Sequence, residues 1–258
     1  MSSEPAARGE DSLADFACDV IDGARERGIP LRLIGGLAVQ HLTPSFVPRI
    51  RQDQDIDFAS LSSERFALMD YLAERGFVGD RRFNTMYGHQ QMYFTTAEGV
   101  AVDIVMDRLT MCHVLEFKHR LQRLPYTLDV ADLLLSKLQV VAQNEKDVHD
   151  IVYLLAAYEA RPGDAPGTIG FKRFNEVLGE DWGWWRTVTG NLERVMALAC
   201  EDCELRRLVP PASPFDPVEQ ARELLRQAEE CPKSLRWKLR SRIGERVRWY
   251  ELPEEVAH

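Results

Sequence analysis

The hydrophobic positions at the start of the chain predict a helix, a strand and a second helix. Apolar residues recur with helical spacing over residues 11–27. Residues 31–34 form a short apolar run, which predicts a strand, and Gly35 and Gly36 interrupt it. Residues 37–42 then have the pattern of the first turns of a helix. This region is therefore predicted to contain a strand, a glycine turn and a helix, with one helix before them.

Alternation of polar and apolar residues predicts three more strands in the first half of the chain. Residues 54–60 alternate in this way, and residues 64–74 then return to helical spacing. Residues 91–96 and 100–106 predict the two strands of a hairpin, because the Glu-Gly pair between them favours a turn. Strands and helices therefore alternate here, which is typical of an α+β fold.

From residue 130 onward the pattern is helical. The predicted helices cover residues 132–143, 146–159, 171–178, 184–200, 217–230 and 235–249. Segments rich in proline or in proline and glycine separate some of them. We therefore predict an α+β domain over residues 1–125 and an α-helical domain over residues 126–258, with a basic helix at its end.

Composition places the chain among ordinary folded proteins. Its 258 residues are 45% hydrophobic and 28% charged, which excludes wholesale disorder, a collagen-like repeat and a small disulfide-stapled fold. The formal net charge of −9 argues against a protein that coats nucleic acid through bulk electrostatics. The five cysteines are odd in number and scattered, which fits reduced thiols rather than a disulfide framework.

The same composition predicts a cytoplasmic location. No stretch of about 18 apolar residues occurs, so neither a transmembrane helix nor a membrane partner is expected. The first residues also lack the basic start and the apolar core of a secretory signal.

Two predicted strands carry carboxylates. Asp55 and Asp57 lie two residues apart, and residues with that spacing point to the same face of a strand. Asp103 interrupts an otherwise apolar run, where a lone buried carboxylate is costly. If the two strands are neighbours, three carboxylates converge, and such an oxygen-only ligand set suits Mg²⁺ and phosphoryl or nucleotidyl transfer. The alternative is that Asp55 and Asp57 lie in a solvated edge strand or turn.

Two further features complement the carboxylates. A glycine pair between a strand and a helix leaves backbone N–H groups and the positive end of a helix dipole for a phosphate, although many simple turns also use two glycines. Lys137 interrupts the apolar stripe of a predicted helix, so its ammonium either reaches solvent or neutralises a triphosphate. Asp147 and Asp150 lie on one face of the next helix, where they can pair with Lys137 or line the same cleft.

Taken in chain order, these motifs resemble a known family. The segments at residues 33–41, 55–58, 102–104, 133–138 and 146–150 are together similar to the AbiEii-like nucleotidyltransferases of the DNA polymerase β superfamily. The resemblance extends over about residues 30–160. It implies a nucleotidyltransferase-type mixed β-sheet flanked by helices, followed by an α-helical region. It also implies Mg²⁺ or Mn²⁺, a nucleoside triphosphate (NTP) as substrate, and transfer of a nucleoside monophosphate to a hydroxyl acceptor.

The resemblance implies a role for each matching residue. The metal ligands and catalytic residues, the last of which helps to activate the acceptor hydroxyl, would be Asp55, Asp57 and Asp103. The nucleotide would be bound by Gly35, Gly36, Lys137 and Asp147. One departure is that residues 37–39 are Leu, Ala and Val, where the family usually has Ser or Thr.

The motifs leave the acceptor and the precise role of the chain open. The acceptor is an RNA, a small molecule or a protein hydroxyl. One alternative to an active enzyme is a catalytically inactive nucleotidyltransferase fold that binds a nucleotide or a partner. Another is the toxin of a toxin–antitoxin pair, an enzyme acting on tRNA.

The segment from Lys233 to Arg248 differs from the rest of the chain in charge. Seven basic residues stand against one acidic residue, so its net charge is +6 and the remainder of the chain carries −15. With Trp237 and Trp249 interleaved, this segment is a candidate for contact with an RNA backbone or with NTP phosphates. The alternative is a solvated helix that pairs with the acidic body.

Overall fold

The computed structural model describes residues 11–46, 55–201 and 203–252. The amino-terminal half contains α1 (Asp11–Glu26), β1 (Leu31–Leu33), α2 (Gly35–Leu42), β2 (Ile56–Ser60), α3 (Arg65–Glu74), β3 (Val78–Gly79), α4 (Arg81–Tyr87), β4 (Gln91–Thr95) and β5 (Ala101–Met106). A short hairpin follows, formed by β6 (Arg108–Thr110) and β7 (Val114–Glu116). The remaining elements are α5 (Val130–Leu138), α6 (Glu145–Ala157), β8 (Ala160–Arg161), β9 (Ile169–Gly170), α7 (Phe171–Glu180), α8 (Trp182–Glu201), α9 (Cys203–Arg207), α10 (Pro217–Glu230) and α11 (Leu235–Ile243).

The main sheet of the described residues is mixed. Its strand order is β1-β2-β5-β4-β3. β2 and β5 run parallel, whereas the other neighbouring strands are antiparallel. β4 and β5 form the hairpin that the sequence predicts. The sheet is flanked by helices, so the α+β class with a mixed sheet is confirmed.

The core explains why the sequence folds in this way. Along β5, buried Val102, Ile104 and Met106 alternate with residues of intermediate exposure, as expected for a strand with only one face in the core. Apolar residues of the sheet and of α5, α6, α8 and α10 belong to one contiguous hydrophobic cluster. The domain boundary near residue 125 stays a prediction. None of the described helices is long and apolar enough to cross a lipid bilayer.

Several helix boundaries differ from the predicted ones. α2 begins at Gly35 rather than at residue 37, so the glycine pair forms the first turn of this helix. α5 ends at Leu138 rather than at residue 143, and the Asn191 side chain donates hydrogen bonds to the backbone carbonyls of Leu138 and Val140 at this end. The last helix, α11, ends before Gly244 rather than at residue 249. Gly244 has a φ of +61°, which a continuing helix does not allow.

A network of ion pairs joins the loop before α5, α5 itself, the loop between β8 and β9, and α7. We call it the Asp132 cluster, and its members are Arg120, Arg123, Asp129, Asp132, Asp164 and Arg173. Asp132 is fully buried, and its two carboxylate oxygens accept hydrogen bonds of 2.6 Å from Arg120 and Arg173. Three cations balance three carboxylates, so the cluster fixes α5 without leaving a net charge inside the protein.

Candidate active site

Two of the predicted catalytic carboxylates are neighbours on the sheet. Asp57 in β2 is aligned with Asp103 in β5, and these two strands are parallel. Residues aligned in neighbouring strands point to the same face, at a spacing of about 4.8 Å between strands. Both side chains are of intermediate exposure, so they are accessible at this face. The strand pairing on which the predicted convergence depended is therefore present.

Asp55 lies just before β2 and is exposed. Within residues 11–46, 55–201 and 203–252, no three His, Cys, Asp or Glu side chains form a group that could hold a metal ion. Strand register thus brings together Asp57 and Asp103 but not Asp55. Metal binding by the three aspartates stays a prediction.

Gly35 is packed directly against Asp57. Its φ is +66°, and a Cβ atom at this position would overlap the Asp57 carboxylate. The backbone N–H of Ile34 donates a hydrogen bond of 2.9 Å to the carbonyl of Asp57, which holds the turn against β2. Ile34 is also the N-cap of α2 and has no side chain that can cap the helix. The first turn of α2, with its backbone N–H groups such as that of Gly36, therefore lies beside Asp57 at the cleft.

The structure explains why apolar residues follow the glycine pair. Leu37, Ala38 and Val39 are buried within the first turns of α2 and belong to the main hydrophobic cluster. These positions serve packing of α2 on the sheet. They supply no hydroxyl to the site.

Gln91 is a site residue that the sequence analysis missed. Its Nε2 atom donates a hydrogen bond of 2.8 Å to Oδ1 of Asp103. Gln91 begins β4, and the antiparallel register pairs Tyr93 with Asp103, so Gln91 lies on the same face two residues away. The hairpin prediction indicates that alternate residues of β4 share the face of Asp103, but the register decides which of them reaches it.

Lys137 is paired with acids on the neighbouring helix rather than extended to solvent. Its Nζ lies 2.9 Å from Asp150 and 3.2 Å from Asp147, and the exposed fractions of these side chains are 13%, 0% and 15%. Burial by itself lowers the pKa of Lys137, but the carboxylates of Asp150 and Asp147 outweigh burial and raise it above 10.5. The ammonium is therefore charged at neutral pH, as the predicted pairing between these helices requires.

These residues face a common cleft with a volume of about 570 Å³. One wall is formed by the sheet and the glycine turn, with Gly35, Asp57, Gln91 and Asp103. The facing wall comes from the end of α5 and the start of α6, with Ser136, Lys137, Asn144 and Asp147. The end of β6 and the loop after it contribute Thr110 and Met111. The carboxylates of Asp57 and Asp103 thus lie at one wall, and Lys137, paired with Asp147, lies at the other.

Replacing Gly35 with alanine is expected to destabilise the protein by about 2–5 kcal/mol. The new side chain has to adopt a left-handed backbone conformation, which costs about 1–2 kcal/mol, and it also collides with Asp57. Gly28→Ala is the matched control, because Gly28 has a φ of +74° but no atom within 4 Å of the added methyl group. Urea unfolding of both variants measures the difference. An equal loss of stability in the two variants would contradict the close contact with Asp57.

Among the comparisons with known proteins, only the comparison with solved structures finds similar proteins. No family model matches the chain, and no curated protein matches it. The lincosamide antibiotic adenylyltransferase LnuA, in a lincomycin-bound crystal structure, is 17% identical, with a TM-score of 0.40 over 57% of this chain and 96% of that one. The antibiotic-resistance factor ANT(2'')-Ia is 13% identical, with a TM-score of 0.40 over 57% of this chain and 84% of that one. An antigenic nucleotidyltransferase-like protein from Paracoccidioides brasiliensis is 13% identical, with a TM-score of 0.39 over 78% of this chain and 93% of that one.

Proposed function

We propose that this protein is a metal-dependent nucleotidyltransferase that moves a nucleoside monophosphate from an NTP to a hydroxyl acceptor. The observation that carries the proposal is the alignment of Asp57 with Asp103 on adjacent parallel strands, beside a glycine turn that starts a helix. This arrangement supplies carboxylates and backbone N–H groups at one end of a cleft large enough for a nucleotide. Membership of the DNA polymerase β superfamily, and of its AbiEii-like branch, is part of the proposal.

The side chains at the sheet fit a divalent cation. Two carboxylates on adjacent strands repel each other unless a cation lies near them. Asp57 and Asp103 offer oxygen atoms alone, which is the donor type that Mg²⁺ and Mn²⁺ prefer, and we propose Asp55 as a third ligand. When bound, such an ion neutralises charge on phosphoryl oxygens and favours ionisation of the attacking hydroxyl.

We assign the proton transfer to Asp103. In the proposed reaction, the acceptor oxygen forms a bond to the α-phosphorus, the bond to the leaving pyrophosphate breaks, and a carboxylate oxygen of Asp103 takes the hydroxyl proton. The amide of Gln91 holds the other oxygen of that carboxylate and so fixes its orientation. The backbone of Gly35 and Gly36 is proposed to bind phosphate oxygens at the start of α2. Lys137 and Asp147 are proposed to bind the nucleotide from the facing wall.

One observation favours a second candidate function. The buried apolar residues 37–39 remove the hydroxyl that related glycine turns offer to a phosphate, which fits a protein that binds a nucleotide without transferring it. A toxin-type enzyme acting on tRNA, as part of a toxin–antitoxin pair, and a cytoplasmic location are further proposals. The acceptor class is RNA, small molecule or protein.

Incubation with labelled NTPs, Mg²⁺ and candidate acceptors tests the proposal. We expect label to appear in one acceptor with the wild type and to disappear with Asp57→Asn and Asp103→Asn. Asp70→Asn is the control, because Asp70 is an exposed aspartate on α3. Equal labelling by all four proteins would contradict the assignment of the site. A rise in melting temperature with Mn²⁺ and NTP, together with no transfer to any acceptor, would favour the nucleotide-binding alternative.

A further inference from the structure

The segment at residues 233–248, here called the basic segment, forms few ion pairs with the other described residues. Lys238, Arg242 and Arg246 are exposed and form no ion pair within the described part of the chain. Arg236 lies 3.7 Å from Asp181, with 83% of its side chain exposed. Of these four cations, only Arg236 therefore pairs with the acidic body, which was the alternative drawn from the sequence.

The same segment exposes a line of aliphatic side chains. Leu235, Leu239 and Ile243 are 74%, 54% and 46% exposed, and they follow one another at intervals of four residues along α11. Residues with this spacing lie on one side of a helix. Val247 and Leu252, beyond the end of α11, are also 59% and 58% exposed.

Helical geometry places the cations beside this line. At about 100° per residue, Lys238 and Arg242 lie on one side of the line of leucine and isoleucine, and Arg236 lies on the other. We call these six residues the α11 face: Leu235, Arg236, Lys238, Leu239, Arg242 and Ile243. The face combines aliphatic contact area with positive charge, so its occupant has to offer apolar surface and negative charge together.

The aromatic residues of the basic segment are turned away from the α11 face. Trp237 packs edge-on against Trp185 with ring centroids 5.4 Å apart. Trp249 packs against Trp182 at 5.9 Å, and its Nε1 donates a hydrogen bond of 3.0 Å to Thr187. The rings therefore attach this segment to α8. They are not arranged as an outward platform on which nucleic-acid bases could stack.

We propose that the α11 face binds an anionic lipid surface. Aliphatic side chains flanked by cations let a helix that lies on a membrane contact the acyl boundary and the lipid phosphates together. A contact of this kind requires no helix that spans the bilayer. The −15 charge of the remaining chain is repelled by the same lipids, so the protein would approach through this face.

Two other occupants fit these observations less well. A second copy of the chain, docked symmetrically, would place the same cations opposite each other. A protein partner would more typically use outward aromatic anchors at the centre of the contact, whereas Trp237 and Trp249 point inward. The convex helix with aliphatic side chains matches a flat, deformable lipid surface.

Vesicle flotation of the full chain tests the proposal. We expect binding to vesicles of phosphatidylcholine that contain phosphatidylglycerol, weak binding to phosphatidylcholine alone, and loss of binding as salt increases. Each cation near an anionic bilayer contributes about fivefold to partitioning, so the double variant Lys238→Gln/Arg242→Gln should bind about 25-fold more weakly. Leu239→Ser/Ile243→Ser should also bind more weakly, because it removes apolar contact and keeps the charge.

The control variant removes two positive charges from another part of the surface. Arg81 and Arg82 are exposed on α4 and form no ion pair within the described residues, so Arg81→Gln/Arg82→Gln should leave vesicle binding unchanged. All substituted side chains are exposed, and circular dichroism with melting curves verifies that each variant folds. Equal weakening by the control variant, or no weakening by the two α11 variants, would overturn the proposal. So would binding of a uridine homopolymer without vesicle binding, or a dimer that the Leu239→Ser/Ile243→Ser variant dissociates in sedimentation.

Discussion

Replacing Lys137 with methionine is expected to lower the free energy of unfolding by about 3–5 kcal/mol. The substitution keeps most of the volume of the side chain but removes the ammonium that lies 2.9 Å from the fully buried Asp150. An uncompensated buried carboxylate is costly, whereas a pair removed as a whole costs much less. Because the pKa of Lys137 is raised above 10.5, the ammonium is charged in both the folded and the unfolded protein at neutral pH. Its contribution is therefore present below pH 10.5 and is lost only when alkaline pH passes its raised pKa.

Two variants give this expectation a control. Lys118→Met breaks a pair with Asp107 at 3.7 Å in which the lysine is about half exposed, and pairs near the surface contribute about 0–1 kcal/mol. The double variant Lys137→Met/Asp150→Leu removes both charges, and we expect it to be more stable than Lys137→Met alone. Urea unfolding at neutral pH measures all three. If Lys137→Met and Lys118→Met lose the same stability, the pairing of Lys137 does not stabilise the fold.

Local patterns predicted the parts of the site that depend on short spacings. Alternation placed Asp57 on a strand face, and helical spacing placed Asp147 and Asp150 on the side of α6 that pairs with Lys137. The position of Asp103 followed from the cost of a carboxylate within an apolar run. In each case the physical rule acts over a few residues, so the sequence alone contains the information.

The missed features depend on contacts between distant parts of the chain. The role of Gln91 follows from the register between β4 and β5, which the sequence does not specify to the residue. The inward orientation of Trp237 follows from packing against Trp185, which is remote in sequence. The carbonyls at the end of α5 accept hydrogen bonds from the side chain of Asn191, which is also remote in sequence.

The Asp132 cluster illustrates the same limit and also positions the site. Its partners come from the loop before α5, from α5 itself, from the loop between β8 and β9 and from α7, with Arg173 lying 41 residues after Asp132. No local pattern relates these charges. The cluster holds the first turns of α5, the helix that carries Lys137 to the cleft wall opposite Asp57. Its loss is therefore expected to affect the site as well as the stability of the fold.

Replacing Asp132 with asparagine is expected to cost about 3–5 kcal/mol of unfolding free energy. The shape is kept, but Arg120 and Arg173 each lose a charged acceptor at 2.6 Å, and three cations then face two carboxylates in a buried network. A guanidinium keeps its proton throughout the accessible pH range, so Arg120 cannot relieve the imbalance by losing its proton.

Asp22→Asn is the matched control, because Asp22 pairs with Arg25 at the same 2.6 Å but with about half of each side chain exposed. We expect Asp22→Asn to cost less than about 1 kcal/mol. Urea unfolding of the two variants compares a buried carboxylate held by two guanidiniums with a half-exposed one held by a single guanidinium at the same distance. Melting curves with Mn²⁺ and NTP then report whether the altered α5 still supports the cleft. Equal costs for the two variants would mean that the Asp132 cluster is no stronger than a surface pair, and the role assigned to it in holding α5 would be wrong.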